Sequence, residues 1–188
     1  MSSNTIQRHG FAGTEIRSQN GDGRTLDILA VRFGVEDEIG SVADGYGFYE
    51  TFDRNSFDET IRRNGPSKIR LLGHHDMRSN PVGVLTEAWT DAQGVHVTAR
   101  LSDTTQGRDI ATLVADGALT DVSIGFRDVK SKWTDHNRRV LRQEVAWREL
   151  SIVNLGALAD AKILASRSQE TRTLSAEAAQ RRLRLLDL

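Results

Sequence analysis

Apolar and polar residues alternate with a period of two along several stretches of this chain, a spacing that predicts strands with two unlike faces. In 95–101, Val95, Val97, Ala99 and Leu101 alternate with polar neighbours, and an Asp91-Ala92-Gln93-Gly94 turn links them to a strand-like run at 82–89. An antiparallel hairpin is expected. Two longer runs, 120–133 and 139–153, flank the turn-like Thr134-Asp135-His136-Asn137 and predict a second, longer hairpin. Residues 26–33 and 68–75 carry further strand signals.

Helical periodicity is confined to a few places. Ser56 and Glu59 form an S-x-x-E capping box, Phe57 and Ile61 share a face, Arg62 and Arg63 suit a helix C-terminus, and Asn64-Gly65-Pro66 stops the element. A second helix is expected over 105–116, where Ile110, Leu113 and Val114 share a stripe and Gly117 can supply the left-handed cap. Residues 1–20 are polar with little period and read as a loose lead-in or a weak edge strand, and the acidic, glycine-rich 34–47 reads as a long exposed loop. From Ser166 the character changes: five arginines face three acids, and Ala176, Ala179, Leu183 and Leu186 fall on one helical stripe. The expected division is a lead-in over 1–20, a domain over 21–165 and a helical tail over 166–188. The fold class is mainly β with a few helices (α+β).

Composition narrows the chemistry. At 188 residues the chain has room for one domain and a short appendage. Its 25 Lys and Arg against 26 Asp and Glu give a formal net charge of −1, which argues against binding nucleic acid through global charge. There is no cysteine, so disulfides, thiol nucleophiles and cysteine-ligated metal sites are excluded together. The N-terminus lacks the apolar run of a signal peptide, and the most apolar stretch, 151–165, is broken by Asn154, Asp160 and Lys162. A soluble protein of a reducing cytoplasm, with no membrane partner, is the expectation.

Three places can carry chemistry. Leu71-Leu72-Gly73-His74-His75-Asp76 puts two imidazoles and a carboxylate at the end of an apolar strand, and imidazole moves protons near neutral pH. Adjacent strand residues point to opposite faces, so only one of the two histidines should enter a site unless the backbone turns. In Asp121-Val122-Ser123-Ile124-Gly125-Phe126, Val122, Ile124 and Phe126 share one face and Asp121, Ser123 and Gly125 the other. Ser123 is then held rigidly, with Gly125 removing a side chain where a peptide would approach it. Taken alone, Ser123 reads as a small residue on a solvated strand face. Around 149, alternation sets Glu149 on the face of Trp147, Ser151 and Val153, where a carboxylate needs a partner. An imidazole serves, and so does an arginine in a structural ion pair. A metal site from His74, His75, Asp76 and His96 is a further reading, weakened because His96 alternates with buried-type valines and faces solvent.

His, Ser and Glu on three strands are the set that acyl transfer uses: a hydroxyl, an imidazole to activate it and a third group to fix the imidazole. The residues carrying them resemble the prohead maturation proteases of HK97-like tailed bacteriophages, a family whose fold is similar to the herpesvirus assemblin proteases. The matching pieces, in order, are Gly47-Phe48-Tyr49-Glu50 with Asn55-Ser56-Phe57; Leu72-Gly73-His74-His75-Asp76 with Pro81-Val82-Gly83; Gly94-Val95-His96-Val97-Thr98-Ala99-Arg100-Leu101; Asp116-Gly117-Ala118-Leu119; Ser123-Ile124-Gly125-Phe126; and Glu149-Leu150-Ser151-Ile152-Val153. They span 47–165.

The resemblance implies an antiparallel β-barrel of the herpesvirus protease type with flanking helices and a C-terminal helical tail. It implies His75 as general base and Ser123 as nucleophile. Assemblin-like enzymes use a second histidine as third member, but His136 falls in the turn before the matching strand, so Glu149 is taken as the orienting group, with Asp76, Asp121 and His74 as alternatives. Gly125 is assigned to substrate binding. Asn154-Leu155-Gly156-Ala157 replaces the family's Pro-Ala, and the oxyanion donors are unassigned. The implied activity is a serine endopeptidase, without cofactor or metal, cutting scaffold or the scaffold-like N-terminal segment of the major capsid protein inside the prohead in the host cytoplasm. The implied partners are those two substrates, and a homodimer is compatible with it. The alternative is a non-catalytic capsid-assembly module on the same barrel. The arginine-rich tail reads as a packaging or scaffold-docking element, open to removal by self-cleavage, although a solvated helix with no partner is the more common fate of such a tail.

Overall fold

The structure, a computed structural model, describes residues 23–154 together with the backbone of 7–10 and 16–19. Along the chain come strands β1 (Gln7–Gly10), β2 (Ile16–Gln19), β3 (Thr25–Arg32), β4 (Asp37–Ile39) and β5 (Phe48–Phe52), then helix α1 (Asp58–Asn64) and a 3₁₀ turn at Pro66–Lys68. Strands β6 (Arg70–Gly73), β7 (Gly83–Thr90) and β8 (Gly94–Leu101) follow, then helix α2 (Thr105–Ala115) and the long pair β9 (Asp121–Thr134) and β10 (Arg139–Val153). Both expected hairpins form, as β7–β8 and β9–β10. The tail over 166–188 lies outside the described residues. No described helix is long and apolar enough to cross a membrane.

The strands make one sheet whose main path is β1-β9-β10-β6-β7-β8-β3-β2, with β5 joined to β10 and β4 to β5. The barrel expectation needs correcting on two counts. Among the described residues no ladder joins the ends of the path, β1 and β2, so the sheet is not closed. Nor is it wholly antiparallel, because β5 and β6 both run parallel to β10, one beside Arg139–Arg142 and the other beside Glu149–Ile152. The chain leaves β5, crosses through α1 and rejoins the same strand further along in the same direction, which is the geometry a helical crossover imposes.

The open sheet is nonetheless curled. Eight strands laid flat would set its ends roughly 34 Å apart. Gly10 of β1 and Ile16 of β2 are six residues apart, and six residues reach no more than about 22 Å. Inside the curl Val122, Ile124 and Phe126 of β9 meet Leu150, Ile152 and Trp147 of β10, with Val95, Val97, Ala99 and Leu101 of β8 from the other side.

Local chemistry departs from the capping expectation at α1. Ser56 does not cap it: its hydroxyl donates to the carbonyl of Asp53, while Glu59 pairs with Arg62 and Arg63. The helix is held by packing, through Thr60, whose hydroxyl donates to the carbonyl of Val145 and accepts from the amide of Trp147. In α2, Thr104 caps through its side chain, Ile110 and Val114 are buried, and Leu113 of the expected stripe is exposed.

Candidate active site

Strand β6 ends at Gly73, and the two histidines after it leave the sheet. His74 and His75 both adopt left-handed backbone conformations (φ 51° and 58°), each costing on the order of 1–3 kcal/mol for a residue with a side chain. Three hydrogen bonds hold the turn: the amide of His74 donates to the carbonyl of Ile152, that of His75 to the hydroxyl of Ser151, and that of Asp76 to the carbonyl of Gly73, at 3.0, 3.1 and 3.0 Å. The turn separates the imidazoles as the sequence required. His74 is exposed, and His75 is turned inward.

The matching end of β10 is not the simple alternating strand that its sequence suggests. A bulge at Arg148 lies between Trp147, paired with Phe126, and Glu149, paired with Gly125. One inserted residue reverses which face the following side chains take. Trp147 therefore packs in the core with Phe126, while Glu149 and Ser151 share the opposite face with Gly125 and Ser123, and Leu150 and Ile152 return to the core. The expectation that Glu149 shares a face with Trp147 fails for this reason. The Trp147 indole N–H spans the bulge and donates to the carbonyl of Glu149 at 2.8 Å.

Glu149 is fully buried (0% exposed). Its Oε1 lies 2.7 Å from Nδ1 of His75, and its Oε2 accepts from the Ser151 hydroxyl at 2.5 Å. Gly125 explains how the carboxylate fits: a Cβ there would overlap the Glu149 carboxyl group. The sequence reading gave the space over Gly125 to substrate, whereas in the fold the carboxylate fills it. With Nδ1–H donating to the carboxylate, Nε2 of His75 is left as the basic nitrogen.

Ser123 stands on the same face, directly across the ladder from Ser151, so His75 and Ser123 converge on one end of the β9–β10 pair. Ser123 is 3% exposed, and among the described residues its hydroxyl makes no hydrogen bond. Of the alternatives to Glu149, Asp76 accepts from Ser79 and from the amides of Arg78 and Ser79, and the Ser79 hydroxyl above all holds its carboxyl below the ordinary aspartate value. Asp121 accepts from Thr120. His96 pairs with Asp91 and stacks on Trp89, and no three metal-ligating side chains come together among the described residues.

Sequence reasoning missed the role of Ser151. Its hydroxyl ties the Glu149 carboxylate to the His75 backbone, a link between strands that no local pattern encodes. The only signal was its place two residues beyond Glu149.

Comparison with known proteins bears on the whole constellation. No curated protein matches the chain. Its backbone is similar to that of the capsid assembly protease of bacteriophage T4, with a TM-score of 0.54 over 79% of this chain and 97% of that one, at 12% identity. At that identity the likeness is one of fold. The family model described as caudovirus prohead serine protease matches residues 13–175, a stretch that contains every strand from β2 onward and all of His75, Ser123 and Glu149. By that match the chain belongs to the caudovirus prohead serine proteases.

Proposed function

We propose that this chain is an endopeptidase with Ser123 as nucleophile, His75 as general base and Glu149 as the group that orients and charges-balances the imidazole, and that it cuts scaffold or the N-terminal segment of the major capsid protein within the assembling prohead. The observation that carries the reading is the buried carboxylate of Glu149 on Nδ1 of His75, on the face that Ser123 occupies one strand away. In the reaction Ser123 Oγ adds to the scissile carbonyl while His75 Nε2 takes its proton. Glu149 stabilises the resulting imidazolium, His75 returns the proton to the leaving amine as the C–N bond breaks, and a water deprotonated by His75 then hydrolyses the acyl ester to free Ser123. Ser151 holds the second carboxylate oxygen so that the first stays on the ring.

Confinement suits such an enzyme. Enzyme and substrate packed in one shell meet at high effective concentration, so weak binding suffices. The test is co-expression with capsid protein and scaffold, read by mass spectrometry. The chain with its natural serine yields truncated products and Ser123→Ala leaves both substrates full-length. Identical processing by the two chains would make the fold a non-catalytic assembly module.

A further inference from the structure

The sheet path ends at β1, which pairs antiparallel with β9 as Gln7↔Phe126, Arg8↔Gly125, His9↔Ile124 and Gly10↔Ser123. The other edge of β9 is taken by β10 along its whole length. An extended peptide binds a sheet by adding a strand to a free edge, so the one edge of β9 on which a peptide can lie beside Ser123 is the edge that β1 holds. Ser123 is meanwhile almost fully buried, although a nucleophile for peptide bonds has to be reached by one.

We propose that the β9 edge from Ser123 to Phe126 is the substrate-binding edge, that its ligand is an extended peptide running antiparallel to β9, and that β1 is a built-in occupant holding the site closed. This rests on the reading of Ser123 as nucleophile. The register places Gly10 abreast of Ser123, so a peptide in the same place carries a small residue there, where least bulk separates the hydroxyl from a carbonyl. β1 is suited to leave. It is four residues long with one partner strand among the described residues, and short edge strands open at far lower cost than core strands. It is also suited to compete. The next strand, β2, is paired to β3 and begins six residues after β1 ends, and so short a tether keeps β1 at millimolar effective concentration over the edge. Substrate displaces it only where substrate is itself concentrated.

The test uses full-length chain in which His9 and Gly10 are both replaced by proline. Neighbouring strand residues direct their N–H groups to opposite edges, so one of the two must face β9, and proline removes it. A second chain lacking residues 1–12 guards against an unforeseen effect of the prolines. Two readouts are taken: fluorophosphonate labelling of Ser123, and, on a Ser123→Ala background where no chemistry occurs, hydrogen exchange of those amides within 124–126 that face β1 rather than β10 and binding of a fluorescent synthetic peptide of residues 4–12. Release of β1 is expected to speed labelling at least tenfold, to expose those amides, and to let the peptide bind and restore their protection. Unchanged labelling with unchanged exchange in the folded variants overturns the proposal, as does a peptide that fails to bind the truncated chain. Peptide binding without labelling in any form would support the strand docking and sink the nucleophile reading instead.

Discussion

The two ends of the β9–β10 hairpin each enclose a fully buried carboxylate, and they differ in what answers it. Near the hairpin turn, Glu50 from β5 accepts from Nε of Arg142 at 2.6 Å, and the guanidinium also meets Asp128 at 2.9 Å and lies over the rings of Phe126 and Trp133. Arginine stays charged at every physiological pH, so this end is a fixed clamp joining β5, β9 and β10. At the other end Glu149 meets an imidazole and a hydroxyl, groups that can exchange or relay a proton. Burial and charge are alike at the two ends. The titratable partner is what makes one of them fit for chemistry and the other fit only for holding strands together.

Substitutions that exchange the roles of the two ends break or sharpen this comparison. The largest effect is expected from Glu149→Gln. It keeps the shape but loses the charge that fixes the imidazole, so turnover of capsid substrate should fall by about 10³–10⁴-fold with the melting temperature nearly unchanged. Next is Arg142→Met, which strands Glu50 without its cation and should cost about 3–5 kcal/mol of stability in urea titration, with turnover per folded molecule preserved. Replacing Arg142 and Glu50 together by Met and Leu should recover part of that loss, because the apolar pair removes the fully buried Glu50 charge, while the part-buried Asp128 still loses its cation.

Gly125→Ala should give a smaller loss. The added methyl pushes the Glu149 carboxylate off its seat against His75, and a misplacement of that size costs on the order of 10²-fold in kcat. Smallest is Asp76→Asn. The carboxyl of Asp76 sits below its ordinary value of 3.8 because Ser79 and two backbone amides donate to it, so its contribution is present above that value and is lost as pH falls through the lowered folded value. The variant should be slightly less stable than its parent near neutral pH, by urea midpoint, and the gap should close in strong acid.

Much of the fold could be read from local pattern and much of the site could not. Strand β8 and helix α2 alternate or repeat cleanly because each has one face in the core, and β9 keeps an alternating sequence although both of its faces are covered over 121–126. At the end of β10, by contrast, Leu150, Ser151, Ile152 and Val153 are all buried. Alternation carries no face information where both faces are covered, so the bulge at Arg148 and the change of face at Glu149 had no local trace. The sequence singled out His75 and Ser123 by residue type and by their place in motifs, and the fold sets both at one end of the β9–β10 pair. Ser151 and β1 act through pairing between segments far apart in the chain, and the left-handed turn at His74 and His75 depends on bonds from Ile152 and Ser151 that only the folded chain supplies.

The central claim is that the Ser123 hydroxyl is activated by His75. The most direct measurement is fluorophosphonate labelling of the intact protein with the adduct mapped by peptide mass spectrometry, run beside His75→Ala. The account predicts a single adduct on Ser123 and its loss in the histidine variant. An adduct on another serine, or labelling of Ser123 at an equal rate without the imidazole, would contradict it.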